Sequence, residues 1–227
     1  MAPFKAIIFD FDGVLLESEF TGNAQLADLL TELGHPHTSE DALRHYVGLS
    51  GPQFIAAIEQ RIGATLSAEF HERRKQQSVG ALAGGVEAVA GAVEFVRSLP
   101  PQLSKAIASS SSLRWLHGHL RHLGLDEVFG PHVYSGREHV GRGKPAPDLY
   151  LYAAAQLGVA IAECVIIEDS TIGVQGALAS GATVIGLAAG KHCFDDHADM
   201  LRARGVEHIA HSFDEVGQLL GIDQISR

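Results

Sequence analysis

The stretch IIFDFDGV, residues 7–14, begins as an apolar run and ends in two carboxylates placed two positions apart. Side chains alternate between the faces of a strand, so Asp10 and Asp12 emerge together from the end of what reads as a buried strand. Burying a carboxylate is costly unless a cation or a reacting group compensates it. Asp-Gly also marks ordinary turns and Asp caps helices, so this stretch alone leaves a structural and a functional interpretation open.

Composition is compatible with a compact enzyme. The chain has 227 residues, 46% of them hydrophobic, which is enough for one large core and a second small unit. Its formal net charge of -10 argues against a nucleic-acid partner, and the short basic run Arg73-Arg74-Lys75 is interpreted as a solvated helix face. With no signal-peptide pattern and no apolar stretch near the roughly 18 residues that span a bilayer, we expect no membrane partner. The expectation is a cytoplasmic protein, a monomer or weak dimer.

The hydrophobic periodicity changes along the chain. From about residue 17 to 80 it is helical, with three helices predicted and no convincing strand. After Gly84 short apolar runs alternate with helices, which predicts a doubly wound parallel sheet, a Rossmann-like α/β core with helices on both faces. The helical segment is then an inserted all-helical cap. We assign residues 1–16 and 82–227 to the core and 17–81 to the cap.

The individual elements of the core follow from the same pattern. Strands are predicted at 4–9, 106–108, 133–134, 164–167 and 184–187. Helices are predicted around Val86, Val89 and Val93, and at 113–123, 148–157 and 172–180.

Polar residues follow several of the predicted strands. Ligands of open parallel sheets bind outside the carboxyl ends of the strands, so residues placed there are expected to converge on one crevice. Each set alone has an ordinary explanation as a turn, a helix cap or a surface lysine, but their joint occurrence favours a site. The four sets are Asp10 with Asp12, Ser109 to Ser112, Lys144-Pro145 and Glu168-Asp169.

These four sets, in this order, resemble the motifs of the haloacid dehalogenase-like hydrolase superfamily. Asp10-x-Asp12-Gly13 matches the first motif, Ser109 with Ser110 the second, Lys144-Pro145 the third and Glu168-Asp169 the fourth. The resemblance covers essentially the whole chain. It is to the subgroup with a helical cap after the first strand, in the phosphoglycolate phosphatase and beta-phosphoglucomutase-like branch.

The resemblance implies a Mg²⁺-dependent phosphatase that acts on a small phosphorylated metabolite, a sugar or sugar-acid phosphate. It implies Asp10 as the nucleophile and a metal ligand, with the backbone carbonyl of Asp12 and the carboxylate of Asp169 as further ligands. Glu168 is expected to orient a ligand or its waters. The Asp12 side chain is expected to protonate the departing alkoxide and then to take a proton from the hydrolytic water.

Phosphate binding and substrate choice are expected to involve further residues. Ser109, the N–H of Ser110 and Lys144 are expected to bind or neutralise the phosphoryl group. Candidates for contact with the organic part of the substrate are Glu17, Ser18 and Glu19 at the first hinge, and the loop carrying Gly48 and Ser50.

Three alternative functions are weighed against the phosphatase. Dehalogenation is disfavoured, because a halide leaves without a proton and the dehalogenases of this superfamily lack the second aspartate. A sugar phosphomutase stays open, although its Ser-Lys-Asn stretch and cap arginine are replaced here by Ser111-Ser112-Leu113 and Gly51-Pro52. Arg114 is a candidate substitute for that arginine. The non-enzymatic alternative is a scaffold that binds phosphate or metal without turnover.

Overall fold

A computed structural model describes residues 4–49 and 51–222. Within these ranges the strands form one parallel sheet in the order β3-β2-β1-β4-β5-β6. The strands are β1 (Ala6–Phe9), β2 (Ser104–Ser109), β3 (Val133–Ser135), β4 (Cys164–Glu168), β5 (Thr183–Leu187) and β6 (His208–Ala210). Because β1 lies between β2 and β4, the strand order reverses beside it. A crevice therefore opens at the carboxyl end of β1, and the predicted doubly wound α/β fold is confirmed.

The helices fall into two groups along the chain. Between β1 and β2 come α1 (Ser18–Glu32), α2 (Ser39–Tyr46), α3 (Gly51–Ile62), α4 (Ala68–Gly84) and α5 (Ala92–Ser98). The remainder are α6 (Leu113–Leu123), α7 (Asp126–Phe129), α8 (Asp148–Leu157), α9 (Thr171–Ser180), α10 (His197–Arg202) and α11 (Phe213–Leu220). In the part of the chain that the structure describes, no helix is both long and apolar enough to cross a membrane.

Side chains alternate between the two faces of each strand, and helices cover both faces of the sheet. Ile7 and Phe9 pack into a cluster that includes side chains of α5, α6 and α11. Ala6 and Ile8 pack into a second cluster, with side chains of α8 and α9. All four residues of β1 are fully buried, which fixes the position of the two aspartates that follow.

Helices α1 to α4 have an apolar cluster of their own. It is built on Leu26, Leu29 and Leu30 of α1, which pack with Ile58 of α3 and Phe70 of α4. This separate core supports the proposal of an inserted cap. Helix α4 continues to Gly84, three residues beyond the boundary proposed at residue 81.

The two segments that join these helices to the sheet pair with each other. Glu17 N donates a hydrogen bond to Glu87 O (2.9 Å), and Val89 N donates to Leu15 O (3.1 Å). Because these hydrogen bonds tie the two connecting segments together, they restrict how helices α1 to α4 can move relative to the sheet.

Two predictions of local structure were wrong in part. The helix expected to carry Val86, Val89 and Val93 begins only at Ala92, because the preceding backbone is extended and bonded to the opposite segment. Helix α2 was not predicted, although Thr38 marks its start: its hydroxyl accepts from Asp41 N (3.0 Å), and the Asp41 carboxylate accepts from Thr38 N.

Candidate active site

Three of the four predicted polar sets line one cavity of about 490 Å³ at the carboxyl ends of the strands. The sheet side contributes Asp10, Asp12, Ser109, Ser110, Ser111 and Lys144. The segment from Ser18 to Gly84 contributes, among others, Glu19, Asn23, Tyr46, Gly48, Gln53 and Arg74. Asp169 and Glu168 lie beneath the cavity and are fully buried.

Lys144 joins two of the sets through buried ion pairs. Its Nζ lies 2.5 Å from Asp10 Oδ1 and 2.6 Å from Glu168 Oε1, and all three side chains are nearly inaccessible to solvent. Burial opposes the charge on Lys144, but the two carboxylates outweigh burial and hold its pKa well above the usual value. Lys144 is therefore a fixed positive charge that also orients the Asp10 carboxylate.

Glu168 acts as the support for Lys144. Its Oε1 also accepts from the Tyr150 hydroxyl (2.9 Å), while Oε2 accepts from Ser170 N (2.9 Å) and Ser170 Oγ (3.1 Å). A Cβ on Gly173 would lie 1.7 Å from Glu168 Oε1, so only glycine leaves room for the carboxylate. Both oxygens of Glu168 are thus committed to hydrogen bonds.

Asp10, Glu168 and Asp169 form a carboxylate cluster that fits a divalent cation. One oxygen from each lies within 4.8 Å of the others, and all three residues are buried. Burial raises the pKa of Asp10 and that of Asp169 well above the usual range, and the neighbouring acids add to both shifts. Neither Asp169 carboxylate oxygen accepts a hydrogen bond within the described residues. Mg²⁺ prefers such carboxylate oxygens, so the donor set suits it.

The Asp12 carboxylate is held by four donors. Ser18 Oγ (2.6 Å) and Trp115 Nε1 (2.9 Å) donate to Oδ1, whereas Ser111 Oγ (2.6 Å) and Ser109 Oγ (3.2 Å) donate to Oδ2. From the sequence, Trp115 reads as a packing residue, yet its indole N–H faces the site. No motif predicts this contact, because it depends on where α6 places its first turn.

The serine run stands at the start of α6, as predicted. Ser112 caps the helix by accepting from Trp115 N, and Ser109 Oγ accepts from Ser111 N (3.0 Å). Ser110 lines the cavity, and its carbonyl accepts from Arg137 Nε (3.0 Å). Hydroxyls and N–H groups at a helix N-terminus favour an anion in the adjoining cavity.

The predicted specificity residues have different positions. Gly48 lines the cavity with φ +76°, and a Cβ there would lie 3.1 Å from Ser170 Cβ. Ser50 lies outside the described residues. Glu17 does not line the cavity: its carboxylate is buried and accepts hydrogen bonds from Lys191 N (3.0 and 3.2 Å). The expectation that Glu17 contacts substrate is therefore corrected.

Glu19, another of the candidates at the first hinge, does line the cavity. It lies two residues further along the chain than Glu17 and accepts from Asn23 Nδ2 (3.1 Å). Burial, with a smaller effect of the Asp169 charge, raises the pKa of Glu19 to about 7. Its carboxyl group can therefore present either a donor or an acceptor near neutral pH.

Arg74 was wrongly interpreted as part of a solvated face. It is half-buried at the cavity wall, and its Nη1 donates to Gly22 O (3.3 Å) and Gln77 Oε1 (2.8 Å). Its neighbour Arg73 instead pairs with Glu32 at the surface. Arg74 forms no ion pair with a carboxylate of residues 4–49 or 51–222, and burial lowers its pKa. It is an uncompensated cation facing the cavity.

Comparisons with known proteins agree with this fold. The family model described as haloacid dehalogenase-like hydrolase matches residues 7–187. Hexitol phosphatase A of Escherichia coli is 30% identical over 217 residues, covering 93% of each chain. Fructose-1-phosphate phosphatase of Escherichia coli is 30% identical over 186 residues, covering 80% of this chain and 95% of its own.

A solved structure extends the likeness over nearly the full length. The haloacid dehalogenase family hydrolase from Deinococcus radiodurans, crystallised with bound phosphate and sodium, is 36% identical with a TM-score of 0.82. The match covers 98% of this chain and 97% of that one. This chain belongs to the haloacid dehalogenase-like hydrolase family. Within it, the chain is a phosphoric monoester hydrolase.

Proposed function

We propose that this enzyme is a Mg²⁺-dependent phosphatase that hydrolyses a small sugar phosphate or sugar-acid phosphate through an aspartyl phosphate on Asp10. The observation that carries the proposal is the pairing of Asp10 with Lys144 on the cavity floor, with Asp12 in the same cavity. The names of the hexitol and fructose-1-phosphate phosphatases support a phosphorylated sugar as substrate.

The metal proposal rests on the carboxylate cluster. Asp10, Asp169 and the backbone carbonyl of Asp12 would hold Mg²⁺, with Glu168 behind them. When bound, Mg²⁺ supplies positive charge that offsets the repulsion between the carboxylates and the phosphate dianion. The Asp169 oxygens support this assignment: within the described residues they accept no hydrogen bond, although His192 Nε2 lies 2.8 Å from Oδ2, and a cation would compensate the buried carboxylate.

The side-chain positions support the following reaction, whose roles for Asp10 and Asp12 come from the family resemblance. Lys144 engages Asp10 Oδ1, which leaves Oδ2 to attack phosphorus. The new bond joins Asp10 to phosphorus as the bond from phosphorus to the leaving oxygen breaks, and Asp12 gives that oxygen its proton. Asp12 then takes a proton from the water that attacks the aspartyl phosphate. Ser109 and the N–H of Ser110 stabilise the charge on the phosphoryl oxygens.

A substrate panel tests the proposed reaction. Phosphate release with Mg²⁺ is measured for p-nitrophenyl phosphate, neutral sugar phosphates and sugar-acid phosphates, with a 2-haloacid as a dehalogenation control. The phosphatase proposal expects inorganic phosphate from at least one phosphate ester and no halide. Conversion of a sugar 1-phosphate to the 6-phosphate with little free phosphate would indicate a phosphomutase. If no ester is hydrolysed or converted, the remaining interpretation is a scaffold that binds phosphate or metal without turnover.

The free cation at Arg74 leads to a prediction about substrate charge. Arg74→Gln is expected to raise the KM for a sugar-acid phosphate about 10-fold or more, since it removes a charge-assisted hydrogen bond to the carboxylate. The KM for the matched neutral sugar phosphate should change much less. Arg73→Gln, which removes the adjacent surface cation, is the control and should leave both KM values near wild type. Equal effects of Arg74→Gln on both substrates would rule out a carboxylate-binding role.

The assignment of acid–base chemistry to Asp12 has its own test. Asp12→Ala is expected to lower kcat at least about 100-fold, the usual scale for a positioned acid or base. Mg²⁺ binding, measured by calorimetry, should persist because the proposed contact of Asp12 is its backbone carbonyl. Trp115→Phe removes one of four hydrogen bonds to the same carboxylate and should cost less. A near-normal kcat for Asp12→Ala would refute the role.

A further inference from the structure

A second group of metal-ligating side chains lies beside the carboxylate cluster. One ligand atom each from His192, Cys193 and His197 lies within 4.8 Å of the others. These residues belong to the loop and helix start that follow β5, so they stand at the same end of the sheet as Asp169. No step of the proposed hydrolysis uses them.

The geometry links this group directly to Asp169. His192 Nε2 lies 2.8 Å from Asp169 Oδ2 and 3.4 Å from Cys193 Sγ, and His197 Nε2 lies 2.8 Å from Asp169 O. The His192 and Asp169 side chains are essentially inaccessible, whereas Cys193 is half-buried. Cys193 therefore offers a route of entry from solvent.

Several polar atoms of this group lack partners. Within the described residues, His192 Nδ1 and both carboxylate oxygens of Asp169 are buried without a hydrogen bond. Although His192 Nε2 is close to Asp169 Oδ2, the pair does not have hydrogen-bond geometry. Burying polar groups without hydrogen-bond partners costs free energy unless a ligand binds them.

The ligand chemistry differs from that of the carboxylate cluster. Two imidazoles and a thiol form a set that Zn²⁺ binds well and Mg²⁺ does not. Tetrahedral zinc with normal bond lengths places a nitrogen and a sulfur ligand about 3.5 Å apart. The distance of 3.4 Å between His192 Nε2 and Cys193 Sγ agrees with that value, whereas His192 Nε2 and Asp169 Oδ2, at 2.8 Å, must separate by about 0.5 Å to bind one ion.

We propose that His192, Cys193 and His197 bind a thiophilic divalent cation, Zn²⁺, with Asp169 Oδ2 as the fourth ligand. On binding, the Cys193 thiol releases its proton to water and its sulfur bonds to the metal. Zinc so placed withdraws Asp169 from the proposed Mg²⁺ ligands and inhibits the enzyme. This inhibitory part rests on the proposed function, whereas binding of the metal does not.

Spectroscopy with Co²⁺ as the probe tests binding without any turnover. One equivalent of Co²⁺ is added to the reduced full-length protein in the presence of excess Mg²⁺. The sulfur-to-cobalt charge-transfer band is expected for wild type, and added Zn²⁺ should abolish it by displacement. The band should be lost in Cys193→Ser and retained in Cys164→Ser, the matched control at the other free cysteine. Circular dichroism checks that both variants fold.

Two results would overturn the site. One is the absence of the band in wild type, and the other is its persistence in Cys193→Ser. Inhibition is tested by titrating Zn²⁺ at saturating Mg²⁺, each variant being referred to its own activity with Mg²⁺ alone. Cys193→Ser is expected to need at least about 10-fold more Zn²⁺ for half-inhibition. An unchanged value would overturn the inhibitory role, while failure of the phosphatase proposal would leave the Co²⁺ result unaffected.

Discussion

Asp10→Asn is expected to lower phosphate release at least about 10³-fold, because an amide cannot attack phosphorus as the carboxylate does. The substitution keeps the size of the side chain at a buried position at the carboxyl end of β1. Lys144 Nζ, which lies 2.5 Å from Asp10 Oδ1, can still donate to the amide oxygen. The loss should therefore appear in kcat, with the unfolding transition close to that of wild type.

The same experiment tests the covalent intermediate. Wild type, stopped in acid during turnover, should contain a phosphorylated peptide spanning Asp10 by mass spectrometry, and Asp10→Asn should not. Asp28→Asn, a change of an exposed acid on α1, is the matched control and should retain full activity. Substantial turnover by Asp10→Asn, or a phosphorylated residue elsewhere, would contradict the proposed nucleophile.

The architecture was predictable from sequence because it depends on local patterns. Alternating apolar runs and helices predicted β1 to β5 and the helices α6, α8 and α9, since a parallel sheet buried on both faces needs such runs. The last strand, β6, and α11 were not predicted. Residues 208–210 form a short strand at the sheet edge, and three residues give too little pattern to recognise.

The chemistry-bearing residues were predictable where they directly follow a strand. Asp10 and Asp169 are examples, because their positions follow from the ends of β1 and β4. Contacts between residues of different helices and strands leave no such pattern in the sequence. Trp115 reaches Asp12 over a sequence separation of 103 residues, and Arg74 reaches the cavity only through the way α4 packs on α1.

The different environments of Glu17 and Glu19 have a local cause. Glu17 is the residue just before α1 and Glu19 is its second residue, so the two positions between them correspond to about 200° around a helix. Glu17 is directed to the backbone of Lys191, and Glu19 is directed to the cavity. Sequence spacing could not distinguish them without the helix start.

Lys144→Met is expected to affect both stability and turnover strongly. It removes the cation between Asp10 and Glu168, whose side chains are 8% and 0% exposed. Breaking a buried ion pair from one side typically costs about 3–5 kcal/mol, because the remaining charge is left uncompensated. We expect a loss of that order in the free energy of unfolding, measured with urea and a chelator at pH 7.5. The kcat should fall as well, since Asp10 loses the group that orients it.

The pH dependence separates lost charge compensation from lost packing. In wild type, burial already raises the pKa of Asp10, so the folded state binds a proton more readily than the unfolded chain. Removing Lys144 raises that pKa further. Stability then falls more steeply as pH rises, so the deficit of the variant should be smallest in mild acid and largest at alkaline pH.

A second substitution identifies which carboxylate causes the loss. Lys144→Met combined with Glu168→Gln removes one of the two uncompensated charges and keeps its shape, with the amide oxygen able to accept from Ser170 N and the amide N–H able to donate to the Tyr150 hydroxyl. This double variant should regain part of the unfolding free energy and have a flatter pH dependence, but it should not regain activity. A deficit independent of pH, or no gain from the second substitution, would mean that Lys144 stabilises the fold through packing. In that case the proposal that the charge of Lys144 orients Asp10 for attack would also be contradicted.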